Sequence, residues 1–120
     1  MGIITEVVIR NMINYLPLPT HHYYIITSHR LANERYKTKV VYESLNPRWQ
    51  EQFEMYLYPG QSQELEISVW DRDQRSKDDF MGRVQVDLAS LARETTHQLW
   101  LNLEDGAGKL FLLITISGDL

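Results

Sequence analysis

The chain has 120 residues, 43% of them hydrophobic and 23% charged, with a formal net charge of −4 and no cysteine. That length and mix describe one ordinary globular domain whose core needs no covalent staples. The missing cysteines exclude disulfides, thiol catalysis and cysteine-ligated zinc or iron–sulfur centres and fit a reducing compartment, and the acidic balance argues against a general nucleic-acid binder.

Residues 3–10 hold Ile3, Ile4, Thr5, Val7, Val8 and Ile9, a β-branched run that predicts a first strand. Pro17 and Pro19 bracket Leu18 and forbid a regular helix or central strand there, so 11–20 is expected to be loop. Tyr23, Tyr24, Ile25 and Ile26 carry a second strand over 21–28, and 29–34 is a polar turn. A third strand spans 36–42. Its alternation sets Lys37 and Lys39 on one face and Thr38 and Val40 on the other. Asn46-Pro47 is a turn, because the proline ring drives the preceding residue out of the helical region.

In 49–58, Phe53, Met55 and Leu57 share one face, and Pro59-Gly60 ends the strand. In 64–70, Leu65, Ile67 and Val69 alternate with Glu64, Glu66 and Ser68, the cleanest half-buried strand in the chain. A strand over 81–87 and a helical turn and a half over 88–93 follow. Strands over 95–103 and 109–117 finish the chain. The last is apolar on both faces and is expected to be central. Short strands, frequent turn signals and almost no helix predict a β-sandwich or barrel. No apolar run approaches the ~20 residues of a membrane span.

Between two of these strands, 70–82 reads Trp-Asp-Arg-Asp-Gln-Arg-Ser-Lys-Asp-Asp-Phe-Met-Gly. Asp71, Asp73, Asp78 and Asp79 crowd one short loop. At about 5 Å and an effective dielectric near 20, each carboxylate pair costs roughly 3 kcal/mol, less where water screens it. Two solutions are open: a fully solvated turn, or a cation that offsets the repulsion.

With Tyr36-Lys37-Thr38-Lys39, Leu45-Asn46-Pro47-Arg48-Trp49, Phe53, Trp70-Asp71-Arg72-Asp73 and Asp79-Phe80-Met81-Gly82 in this order, the sequence resembles a C2 domain over residues 35–117. Within that family it is similar to a module of the multiple-C2-domain transmembrane proteins. The resemblance implies an all-β, eight-stranded antiparallel β-sandwich of C2 type, forming one domain over 1–120, with an atypical N-terminal strand-loop-strand region whose divergent part is 11–28. It also implies calcium as a cofactor, held by the matching Asp71, Asp73 and Asp79, with Asp78 at a variable position. C2 domains that bind calcium well place two further aspartates in the loop after the first strand. Here no acidic residue stands between Glu6 and Glu34. Calcium takes six to eight oxygens, so binding is expected to be weak or lost.

For Lys37 and Lys39 the plain reading is an exposed strand edge, where lysine blocks unwanted pairing. The resemblance adds a lipid-headgroup site made of Lys37, Lys39 and Trp70, since some C2 domains bind phosphoinositides there. Adjacent His21 and His22 face opposite sides of a strand and cannot easily share one metal, so a loop or edge role is expected for them. No Gly-x-Ser-x-Gly elbow accompanies the Ser, His and Asp residues, so no enzyme is expected. Trp49 and Trp100 are read as packing residues. Phe80 and Met81 stand between membrane insertion at the loop tip and seating of the next strand. The implied function is a membrane-targeting module for anionic phospholipid surfaces, a monomer as an isolated domain. It would act peripherally on the cytoplasmic face of membranes, within a family anchored at vesicle or endoplasmic reticulum membranes and tied to calcium-regulated vesicle trafficking and neurotransmitter secretion. The alternative is a calcium-independent protein–protein interaction module.

Overall fold

The structure, a computed structural model, describes residues 5–15, 22–29, 35–42, 48–49, 51–57, 63–73 and 76–118. Its strands are β1 (Thr5–Tyr15), β2 (His22–His29), β3 (Arg35–Lys37), β4 (Val41–Tyr42), β5 (Phe53–Leu57), β6 (Glu64–Asp71), β7 (Asp79–Asp87), β8 (Thr96–Asn102) and β9 (Lys109–Ser117). One sheet has the order β5-β1-β9-β8, and the other β3-β2-β6-β7 with β4 also paired to β2. The pairs are antiparallel. Since β3 and β4 are two parts of one edge, this is the expected eight-stranded sandwich with four strands a sheet.

The alternation read from the sequence sets the core. Leu65, Ile67 and Val69 are fully buried, together with Ile25 of the neighbouring strand β2 and Leu110, Leu112 and Ile114 of β9 in the other sheet. Trp49 is wholly buried, whereas Trp100 stays half exposed and lies against Phe111 with ring centroids 4.6 Å apart. As its two-sided apolar pattern predicts, β9 lies between β1 and β8.

Several boundaries differ from expectation: the strand expected from 49 begins at Phe53, and the one expected from 81 begins at Asp79. Residues 11–15, expected as loop, continue β1, because pairing with β9 resumes after a register shift between Arg10 and Ile13, with Ile13 opposite Phe111. The strand expected over 36–42 is interrupted at Thr38. There the buried Thr38 hydroxyl accepts the Ile25 N–H at 2.8 Å and donates to the Lys39 carbonyl at 2.9 Å, so a side chain replaces part of the ladder. The helix expected over 88–93 is one 3-10 turn, Leu88–Ser90, capped by the Asp87 carboxylate accepting from the Ala89 N–H. The proline loop at 16–20 and the turns at 43–47 and 59–60 lie outside the described residues.

At the end of β7 nearest the acidic loop, the register slips. Val69 pairs with Gly82 but Trp70 pairs with Phe80, leaving Met81 as the extra residue of a bulge. Met81 packs on the core, and Phe80 turns outward beside Trp70, edge to face at 5.4 Å. Gly82 sits at φ 138°, where a side chain is strained, and a Cβ there would lie 2.9 Å from the Leu103 Cβ. Next to it, Arg83 and Glu104 exchange two backbone hydrogen bonds, of 3.0 and 2.7 Å, tying the residues after β8 to β7. Gly82→Ala is therefore expected to cost about 1–3 kcal/mol through backbone strain and more if Leu103 cannot give way. Urea unfolding of the variant beside the wild type measures it, and unchanged stability would contradict the close approach.

Candidate functional site

On β2, Tyr23 and Ile25 point into the core, which leaves Tyr24 and Ile26 on the outer face of the second sheet. The ladder places Trp70 opposite Tyr24 and Lys37 opposite Ile26. The indole N–H of Trp70 donates to the Ser68 hydroxyl at 2.9 Å, which fixes the ring along its own strand. The Lys37 ammonium sits 4.4 Å from the centre of the Tyr24 ring, within cation–π range. Around these side chains opens a cleft of about 450 Å³, lined by Tyr24, Ile26, Arg35, Trp70, Ser76, Lys77 and Asp78.

Of the three residues expected to bind a headgroup, Trp70 lines this cleft and Lys37 covers one of its walls. Lys39 is not among the lining residues. It follows the break at Thr38, and its backbone N–H donates to the Glu51 carboxylate at 2.9 Å. Arg35 and Lys77 bring charge to the cleft instead, and neither stands out in the sequence. Arg35 reaches it because β3 starts one alternation before Lys37, on the same face.

The acidic loop closes one end. Asp78, which the sequence leaves without a task, is held by two donors. Its Oδ2 accepts from the Tyr24 hydroxyl at 2.5 Å and its Oδ1 from the Asp73 N–H at 3.0 Å. The shared bond moves both groups. Burial first, then donation to Asp78 and the charge of Asp78, push the Tyr24 phenol up to about 12, against the opposing pull of Arg35 and Arg72. The Tyr24 hydroxyl and then the Asp73 N–H hold the Asp78 carboxyl below its ordinary value, with help from the charges of Lys37 and Arg72.

Asp71 is nearly buried at the end of β6, its Oδ1 accepting the His22 N–H at 3.0 Å, and the ladder sets Asp79 directly opposite it. Asp73 accepts the Ser76 hydroxyl at 2.8 Å. Calcium calls for several oxygens converging on one point. Among the described residues, no three carboxylates or histidines are grouped to hold a metal ion. Asp71, Asp73 and Asp78 each commit an oxygen to a protein donor. His21 lies outside the described residues, and His22 is on β2.

The C2 domain family model matches residues 10–103. Multiple C2 and transmembrane domain-containing protein 1 of Mus musculus is 49% identical over 90 residues, which covers 75% of this chain and 10% of the relative. This chain thus spans about a tenth of that relative's length. Among solved structures, a calcium-bound pair of C2 domains from extended synaptotagmin 2 superposes with a TM-score of 0.80 at 28% identity, covering 92% of this chain and 45% of that one. Human GIVD cytosolic phospholipase A2 superposes with a TM-score of 0.84 at 19% identity, over 94% of this chain and 17% of the phospholipase, a likeness of fold alone.

The Tyr24–Asp78 bond gives a titration test. A carboxyl whose folded pKa is depressed contributes stability that is present above the unfolded pKa and lost as pH falls through the folded one. Asp78 starts from an ordinary value of 3.8 and lies below it. Tyr24→Phe removes the first cause and is expected to move the Asp78 carboxyl back toward that value in a carboxyl NMR titration. An unmoved titration would mean the bond does not form.

Proposed function

Because this chain belongs to the C2 domain family, we propose that it is a membrane-targeting module that binds anionic phospholipid through the outer face of its second sheet, with calcium binding weak or lost. The cleft carries the reading. Arg35, Lys37 and Lys77 surround the aromatic walls of Tyr24 and Trp70. Lysine and arginine serve anionic headgroups as charges and forked donors, each worth about 1 kcal/mol near an anionic membrane. Phe80, 42% exposed beside Trp70, offers an apolar group at the rim. Lys39 lies beyond the cleft and adds field rather than contact.

Asp71, Asp73 and Asp79 are the carboxylates a calcium ion would meet, and calcium would supply charge that draws the loop end toward anionic lipid. The hydrogen bonds already made by Asp71 and Asp73, and the absence of acidic residues between Glu6 and Glu34, support weak binding. The module is expected to act peripherally on the cytoplasmic face of vesicle or reticulum membranes, as part of a protein concerned with calcium-regulated trafficking or transmitter release. The relative named for transmembrane domains and the calcium-bound neighbour support that setting. A protein-interaction module is the second reading, favoured by Trp100, which is 52% exposed on the opposite sheet.

Two measurements separate these readings. Lys37→Glu combined with Lys39→Glu is expected to abolish pelleting with phosphatidylserine vesicles in chelator, and pelleting that persists would remove the cleft from membrane binding. Wild type that fails to pellet with or without calcium would favour protein interaction through Trp100. In a calorimetric calcium titration, heats are expected only toward the ~10⁻³ M end of the usual affinity range, and micromolar binding would overturn the weak site.

A further inference from the structure

We propose that Asp78 is an intramolecular occupant of the headgroup cleft, a carboxylate that must swing out before an anionic lipid headgroup can enter. The inference rests on the reading of the cleft given above and concerns how that cleft is regulated. Asp78 is part of the cleft lining, beside Lys77 and on the same cleft as Arg35. Its two oxygens take two donors, the Tyr24 hydroxyl and the Asp73 N–H. An anion between two N–H or O–H donors and ringed by cations is what a phosphate oxygen would make of the same place. Charge-assisted bonds of this kind are the strong ones. A tethered carboxylate also competes at the effective concentration set by its short tether, on the order of millimolar, so a headgroup must displace it.

The placement has a sequence logic. Asp79 pairs with Asp71 inside the ladder, which points it away from the cleft lining, whereas Asp78 is the last residue before β7 begins. Two adjacent aspartates therefore do different things. One belongs to the end of the sandwich where calcium would sit, the other to the sheet face. Tyr24 links the carboxylate to the cation, because its hydroxyl donates to Asp78 while its ring faces Lys37. Releasing Asp78 removes a negative charge from the cleft.

The test measures partition of the chain onto vesicles of phosphatidylserine in phosphatidylcholine, with calcium chelated, for wild type, Asp78→Asn, Asp79→Asn and Tyr24→Phe. Asp78→Asn is expected to bind more tightly by roughly fivefold or more, the factor one charge is worth at an anionic surface. Asp79→Asn, which removes the same charge one residue away, is expected to gain less. Tyr24→Phe keeps the charge but frees the carboxylate, and is expected to fall between wild type and Asp78→Asn. Near-ultraviolet circular dichroism checks each variant's packing, and Tyr24→Phe carries the test if Asp78→Asn is not folded. Equal gains for Asp78→Asn and Asp79→Asn would reduce the effect to bulk charge and overturn the inference. So would wild-type affinity in both Asp78→Asn and Tyr24→Phe, with vesicle binding itself intact. If neither wild type nor any variant binds, the cleft is not a headgroup site and both readings fall. Binding by Asp78→Asn where wild type binds nothing would be the strongest support.

Discussion

The close approach at Gly82 is the constraint on which the acidic end of the sandwich depends. Any side chain there meets Leu103, and φ 138° is a backbone state that favours glycine. Because the backbone of β7 can come this near, Arg83 pairs with Glu104 and ties the residues after β8 to the edge of the second sheet. The same bulge shifts the side-chain phase by one residue. Met81 is thereby turned to the core and Phe80 to the outer face beside Trp70. With a regular ladder the two would exchange faces, and the chain would leave the sheet with Asp79 and Asp78 aimed differently.

The acidic loop's Asp71, Asp73 and Asp78 carboxylates are engaged by donors of the protein itself. Its carboxylates are not merely solvated. Asp71 is nearly buried on a backbone N–H, Asp73 holds the Ser76 hydroxyl, and Asp78 holds Tyr24 and the Asp73 N–H. Hydrogen bonds to ionised carboxylates offset desolvation well, so Asp71, Asp73 and Asp78 are each held by a donor of the protein. Oxygens used in this way are less available to a metal ion.

The likeness to the phospholipase and to extended synaptotagmin separates fold from function. A sandwich of this topology superposes closely at 19% identity, because alternation and turn placement suffice to specify it. What differs between such domains is the chemistry at the loop ends and sheet faces. In this chain that chemistry is an aromatic cleft with cations at its wall and one carboxylate inside it. The enzyme in the comparison is matched over 17% of its length, so nothing of its catalysis carries across.

Much of the fold was legible in the sequence. Strict alternation over Leu65, Ile67 and Val69 announced a half-buried strand, and the two-sided apolar run from Leu110 to Ile116 announced a central one. Both signals are local, since a strand's faces follow from a period of two. The family pattern marked Asp71, Asp73, Asp79, Lys37, Lys39 and Trp70 as residues to watch, of which Lys39 is not among the residues lining the cleft. The continuation of β1 through 11–15 was hidden, because its register resumes only against β9, nearly a hundred positions away. Arg35 and Asp78 were hidden for the same reason. Tyr24 and Asp78 are 54 residues apart, and no spacing rule links a strand tyrosine to a loop aspartate that distant. The sequence by itself determined which faces are apolar, where the charges cluster and which sandwich they fit. Only the tertiary structure decided which charges meet, because that depends on the ladder register and on a bulge made possible by one glycine against Leu103.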